Sequence, residues 1–398
     1  MRRVLFTAVL AALLLAACAA PQVSEEPPVP LEPPAVEVPE EPPAPPPPTE
    51  EELAAERVED LLNSMTLEEK VGQLFFARCP ATGALEDIAS CHLGGYLLFG
   101  RDFKDAAGNY LKAEQVTEKI RSYQDAARIP LLIGVDEEGG SVARASWNPN
   151  LFPNGRCKSP QWLLRHQNGE GDLFAEDARE KSGALLRCGV NVNLAPVCDV
   201  SLHPGSFIYD RTLGQDAPAT ADYVERVVAA MRESGIGSVL KHFPGYGDNV
   251  DTHDGTALDQ RPIETFVSSD FLPFQAGLAA GGDTAAVLVC HNIVSCMDSE
   301  LPASLSPAVH EILRGELGFD GVAMTDDLAM KAVSAYAGDG SVAVMALKAG
   351  NDLLITADYR TQIPKVLEAV ENGGLLEADL DNACRRILRW KQVLGLIA

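Results

Sequence analysis

Gly237-Ser238-Val239-Leu240-Lys241-His242-Phe243-Pro244-Gly245-Tyr246-Gly247-Asp248-Asn249-Val250-Asp251-Thr252-His253 opens as a short apolar run and closes as a loop carrying two carboxylates and a second imidazole. The run Gly237–Lys241 is strand-sized and ends on a cation and an imidazole. Pro244, Gly245 and Gly247 then turn the backbone, and glycine near a ligand permits close backbone approach. Asp251 and His253 are two positions apart, which places both side chains on one side of an extended loop. A carboxylate beside an imidazole fixes its tautomer and supports the imidazolium. His253 is therefore a candidate proton donor near neutral pH, with Asp251 as its support. A metal site built from His242, Asp251 and His253 is the competing reading, but no further ligand run accompanies these residues.

Seven other short apolar runs punctuate the chain: Gln73–Ala77, Gly95–Phe99, Pro130–Val135, Val190–Ala195, Ala285–Val289, Val322–Thr325 and Asp352–Ile355. Helical patterns separate them at Ala113–Ala127, Leu173–Arg187, Ala219–Glu233, Pro307–Leu317, Val342–Lys348 and Gln362–Glu371, and Glu377–Leu394 closes the chain. Thr66-Leu67-Glu68-Glu69 is a capping box that opens a further short helix. Strands alternating with helices in this number predict a (β/α)8 TIM-type barrel forming a single catalytic domain. A doubly wound sheet is the other α/β arrangement, but no early strand leads into a nucleotide-binding glycine fingerprint. Polar residues fall at the ends of four runs: Asp136, Asp199, Lys241-His242 and Asp326-Asp327. In a parallel barrel these ends open on one face, where catalytic groups collect. Packing alone does not account for four of them.

The flanking sequence bears on location and substrate. Arg2 and Arg3 precede the apolar run Val4–Ala17, which is too short to span a bilayer comfortably and ends on Leu15-Ala16-Ala17-Cys18. That ending resembles the lipobox of bacterial lipoproteins, which implies a signal segment at 1–18, lipidation at Cys18 and a membrane anchor outside the cytoplasm. Residues 19–52 are dominated by Pro, Glu, Val and Ala and read as an extended linker, with the catalytic body expected over 53–398. The 398 residues carry a formal charge of −25 with no Lys/Arg stripe, which argues against nucleic acid and fits a neutral ligand such as a sugar. Beyond Cys18 there are eight cysteines with no C-x-x-C pair, so a zinc site is not indicated.

Taken in order, these segments resemble glycoside hydrolase family 3, in its β-N-acetylglucosaminidase branch. The Lys241–His253 loop is similar to the family's KHFPGHGD…DSH motif. Gly94–Gly100 resembles its GGVILF strand, Val135–Gly140 its VDQEGG turn, and Asn193–Val200 its NFAPVLDV strand. Pro302–Ser306 and Gly318–Leu328 are similar to PASLS and GFDGVIFSDDL, so the resemblance spans most of residues 65–357. It implies Asp326 as nucleophile and the Asp251–His253 dyad as general acid/base. Sugar-binding positions fall on Asp136, Arg144, Arg211, Lys241 and His242. Three departures stand out: Tyr246 where the family usually has His, Ser141 where it often has Arg, and a loop before Asp251 one residue shorter than in some relatives.

The resemblance implies a retaining exo-β-N-acetylglucosaminidase that removes terminal GlcNAc from peptidoglycan fragments or chito-oligosaccharides, with no metal or organic cofactor. Three alternatives compete. A β-glucosidase of this family would ordinarily add a second domain. A phosphorylase would exploit an acid/base histidine that does not repel phosphate. A non-catalytic sugar-binding lipoprotein would have no need of a nucleophile.

Overall fold

The structure is a computed structural model that describes residues 47–169, 171–250, 257–338 and 340–397. Cys18, Asp251 and His253 lie outside the described residues, as does most of the Pro/Glu segment. Eight strands form one parallel sheet: β1 Phe75–Arg78, β2 Gly95–Leu98, β3 Leu132–Val135, β4 Val192–Asn193, β5 Gly237–Phe243, β6 Ala285–Val289, β7 Ala323–Thr325 and β8 Leu354–Thr356. Neighbours in sequence are neighbours in the sheet, and β8 returns to pair with β1. A parallel bridge between Met324 and Leu353 joins β7 to β8, giving the expected (β/α)8 barrel.

Strands β2, β3, β5 and β6 are buried at every position. Helices cover the outside of such a sheet and side chains fill its inside, so each strand reads as a continuous apolar run rather than an alternation. The filling is tight. A Cβ on Gly134 would sit 2.4 Å from the Phe76 ring, so β3 carries glycine where the facing strand sends an aromatic side chain inward.

The helices start and stop where local chemistry tells them to. In Ala217–Ser234 the Asp216 side chain accepts the Ala219 N–H, a proline sits in the first turn, and Gly235 ends the helix at φ 81°. Its Tyr223, Val224, Val227, Val228 and Met231 are buried at helical spacing.

One boundary differs from expectation. A helix spans Glu50–Asn63, so the folded body begins at Thr49, inside the segment expected to be linker. Thr49 and Glu52 close a capping box, and Val58 and Leu62 are buried. Arg385 of the closing helix Glu377–Val393 pairs with Glu59, and Gln392 donates to the Ala54 carbonyl at 3.1 Å. Tertiary packing thus captures a sequence whose Glu-rich composition looked unstructured. Helices Ala84–Cys91, Pro160–His166 and Phe271–Gly281 are also additional to the sequence reading. The eight described cysteines are free thiols. No described helix is long and apolar enough to cross a membrane.

Candidate active site

At the C-terminal ends of the strands lies a cavity of about 610 Å3 whose lining includes Asp136, Arg144, Arg211, Lys241, His242 and Asp326. These are all the catalytic and sugar-binding residues implied by the family resemblance that the structure describes. Arg78, Phe99, Phe207 and Asp327 complete much of the wall. Asp136 directly follows β3, whereas Lys241 and His242 are consecutive residues of β5. Regular alternation would send consecutive side chains to opposite faces. The β5–β6 register shifts between Lys241 and Phe243, and this irregularity allows both to reach the cavity.

A buried charge network forms the rim. Lys241 Nζ lies 2.7 Å from Asp136 Oδ1 and 2.6 Å from Glu138 Oε1. Arg211 donates to Glu138 through Nε at 2.9 Å and Nη2 at 2.8 Å, a two-point pairing that fixes the guanidinium plane. Burial pushes the Glu138 carboxyl up, but Arg211 and Lys241 reverse this and hold it well below the usual range. Burial likewise pushes the Lys241 ammonium down, and Asp136 and Glu138 raise it above its ordinary value.

His242 is fixed at both nitrogens. Arg211 Nη2 donates to His242 Nε2 at 3.0 Å, so His242 Nδ1 carries the proton that Asp199 Oδ2 accepts at 2.7 Å. Asp199 is not part of the cavity lining, contrary to its expected place on the rim. It stands behind His242, and its other oxygen accepts the Tyr246 N–H at 2.7 Å.

The adjacent carboxylates Asp326 and Asp327 differ in their commitments. Asp327 Oδ2 is bound to Arg78 Nη1 at 3.0 Å and its Oδ1 accepts the Ala329 N–H, so it is consumed by structure. Asp326 accepts the Asp327 N–H at 2.7 Å and lines the cavity, and among the described residues no cationic side chain is bonded to it. Burial pushes the Asp326 carboxyl up, but the His291 and His242 imidazoles, the Asp327 N–H and Lys241 outweigh burial and leave it below the ordinary aspartate value. An ionised, unpaired carboxylate facing a cavity is available as a nucleophile.

Sequence reading missed four contributors. Glu138 is the central anion of the rim. Glu137 is fully buried, and its Oε2 accepts the backbone N–H groups of Arg144, Ala145 and Ser146, shaping the turn that presents Arg144. His291 follows β6 and hydrogen-bonds Ser304 at 2.7 Å and the Asp327 carbonyl at 3.1 Å, bracing the turn after β7. Arg78, at the end of β1, lies 4.3 Å over the Phe99 ring while it holds Asp327. Each sits at or just past a strand end, the one signal that pointed to them. Among the described residues no cluster of His, Cys, Asp and Glu is placed to hold a metal ion.

A parallel barrel that gathers an ionised carboxylate and hydrogen-bonding cations at its strand ends has the equipment of a barrel enzyme. The chain belongs to glycosyl hydrolase family 3: residues 66–390 match the family's N-terminal domain. It is 34% identical over 312 residues to a β-hexosaminidase of Stenotrophomonas maltophilia strain K279a, covering 76% of this chain and 88% of that protein. A β-hexosaminidase of Tolumonas auensis is 31% identical over 291 residues, 72% of this chain and 82% of that one. Among solved structures, a family 3 β-N-acetylglucosaminidase from Paenibacillus sp. str. FPU-7 superposes with a TM-score of 0.73 at 30% identity. That match covers 84% of this chain but 64% of the Paenibacillus protein, so this chain spans under two thirds of its length. The β-N-acetylhexosaminidase of Beutenbergia cavernae DSM 12333 gives a TM-score of 0.71 at 28% identity, covering 83% of this chain and 99% of that one.

Proposed function

We propose that this chain is a retaining exo-β-N-acetylglucosaminidase that releases terminal GlcNAc from peptidoglycan fragments or chito-oligosaccharides. The observation that carries the reading is the contrast between Asp326, which faces the cavity with no ion pair among the described residues, and Asp327, which is tied to Arg78. Asp326 attacks the anomeric carbon and forms a glycosyl-enzyme. His253, supported by Asp251, protonates the departing oxygen and then activates the water that releases the sugar. Lys241, Asp136 and Arg211 offer donors and acceptors for sugar hydroxyls from positions already fixed by the rim network, and His242, occupied at both nitrogens, holds Arg211 in place from the cavity wall. Arg144 Nε is buried without a hydrogen-bond partner among the described residues, which suits it to an oxygen-rich ligand.

The relatives named for β-N-acetylglucosaminidase and β-hexosaminidase activity support this substrate class over a glucoside. The test compares the soluble body, from Thr49 onward, on an aryl β-N-acetylglucosaminide and on the matching β-glucoside, in phosphate and in an inert buffer. The reading expects the N-acetylglucosaminide to be preferred by at least ~10²-fold, with water as acceptor in both buffers. A preference for the glucoside overturns the specificity, and a sugar phosphate as product overturns the hydrolase reading.

The Leu15-Ala16-Ala17-Cys18 segment and the Pro/Glu run after it support an exported, lipid-anchored location. Cys18→Ser is expected to release the protein from membranes or stall its processing. A wild-type protein that is wholly soluble contradicts the anchor.

A further inference from the structure

The loop that leaves β5 is pinned at both ends by one half-buried cation that serves two buried carboxylates. Arg261 lies just past the loop's return, where Leu258–Asp259 pairs with Ile293–Val294. Its Nη2 and Nε bond Asp259 Oδ2 at 2.8 and 3.0 Å, and its Nη1 reaches both oxygens of Asp270 at 3.0 Å. Nη2 also donates to the carbonyl of Gly245, on the outgoing limb, at 3.3 Å. The guanidinium lies 4.4 Å over the buried Phe266 ring. Asp259 and Asp270 are 2% and 1% exposed, and two carboxylates so far from water require a shared, well-aligned cation. Arginine can serve both and a backbone carbonyl at once because its donors form a rigid fork.

The outgoing limb is shaped around this clasp. Gly245 and Gly247 have φ of 129° and 60°. A Cβ on Gly245 would meet Asp270 Oδ1 at 2.2 Å, and one on Gly247 would meet the Arg261 guanidinium at 2.8 Å. Asn249 Nδ2 adds a second cross-link, donating to Asp259 Oδ2 at 2.9 Å and to the Tyr246 carbonyl at 2.8 Å. The Tyr246 hydroxyl donates to the Val250 carbonyl at 3.1 Å. Ser201 holds Asp248 at 2.9 Å from the neighbouring loop. Both limbs that flank residues 251–256 are therefore tied to one buried point.

We propose that Arg261 is a positioning residue for the proton-transfer step: through Asp259, Asp270 and Gly245 it sets the two ends of the loop that carries Asp251 and His253. The inference rests on the reading of those two residues as the acid/base dyad. Arg261 touches neither the cavity nor the sugar, so its effect appears in protonation of the leaving group and not in attack by Asp326. A displacement of about 1 Å in a catalytic group is worth up to ~10²-fold in rate.

The test uses Arg261→Lys, which keeps the charge but loses the fork, and Asn249→Ala, which removes the second cross-link and leaves both buried carboxylates paired. Each is assayed beside His253→Ala on chitobiose, a poor leaving group, and on 2,4-dinitrophenyl β-N-acetylglucosaminide, a good one. Arg261→Lys is expected to lose at least ~10-fold more kcat/KM on chitobiose than on the activated glycoside, and Asn249→Ala about 3-fold more. The rate at which a fluorinated sugar fluoride labels the nucleophile stays within about 3-fold of wild type in both. Should Arg261→Lys fail to fold, Asn249→Ala alone carries the expected split. If His253→Ala splits the two substrates but neither loop variant does, or both substrates fall equally, the role of Arg261 is overturned. If His253→Ala itself shows no split, the dyad reading falls, and this inference falls with it.

Discussion

Two buried lysines at opposite ends of the barrel show what the active-site face does with charge. Lys241, 2% exposed, sits between Asp136 and Glu138, and the carboxylates raise its pKa. Lys391, fully buried in the closing helix, donates to Gln73 Oε1 at 2.6 Å beside the entry to β1. Burial pushes its ammonium down to about 7, with little to offset it. At one end a buried cation is stabilised by two anions, one of which, Asp136, also lines the cavity. At the other it is tolerated at a cost. Preorganised charge is concentrated where a ligand uses it.

Of the changes that probe this contrast, removing Lys241 is expected to have the largest effect. Lys241→Met leaves the buried Glu138 with Arg211 as its remaining cation and Asp136 without its ion-pair partner, and breaking a buried pair costs about 3–5 kcal/mol. The expected outcome is a loss of at least ~10²-fold in kcat/KM together with a lower denaturation midpoint. Glu138→Gln keeps the shape and removes the anion shared by Lys241 and Arg211, so a fall of about 10- to 100-fold in kcat/KM is expected, mostly in KM.

Lys391→Met should do the reverse. Activity stays within about 2-fold, and stability at pH 6 rises by about 1 kcal/mol. The sign follows from linkage. Below about 7 the folded chain bears the full penalty of a buried charge. Between about 7 and the ordinary lysine value of 10.5 the unfolded chain holds the extra proton, so this group makes wild-type stability rise with pH. The advantage of Lys391→Met should therefore shrink toward pH 10, measured by urea denaturation at several pH values. Destabilisation by Lys391→Met equal to that of Lys241→Met would erase the contrast.

The smallest effect is the response of the Asp326 step to pH. Its carboxyl lies below the ordinary aspartate value, so lowering the pH from 6 to 5 should change the rate on an N-acetylglucosaminyl fluoride, which needs little acid assistance, by less than about 2-fold.

The barrel was legible because parallel strands buried on both faces leave short apolar runs, and all eight observed strands overlap the expected ones. Edges were less legible. Gln73 was read as strand, but it ends the helix Leu67–Gln73 and turns its amide to the carbonyls of His92 and Leu93. The strand-end rule led to Asp136, Lys241, His242 and Asp326, which all line the cavity, because each lies within two residues of a strand terminus. It misplaced Asp199, whose position after β4 is right but whose carboxylate turns behind His242. Glu138 and Arg261 escaped because their meaning lies in partners that only folding supplies. Arg211 reaches Glu138 from 73 residues away, and Arg261 acts on buried carboxylates that no local pattern marks. Arg144 was expected on the motif alone, and the carboxylate of Glu137 that shapes its turn was not.

The central claim is that the unpaired carboxylate after β7, and not its arginine-bound neighbour, attacks the sugar. Incubating the protein with 5-fluoro-N-acetylglucosaminyl fluoride traps a slow glycosyl-enzyme, because the added fluorine destabilises the transition state that releases it. Peptide mass spectrometry is predicted to find the sugar on Asp326. Asp326→Asn should take up no label and lose at least ~10³-fold in turnover, about 4 kcal/mol of barrier. Label on Asp327, or full labelling of the Asp326→Asn protein, would contradict the account.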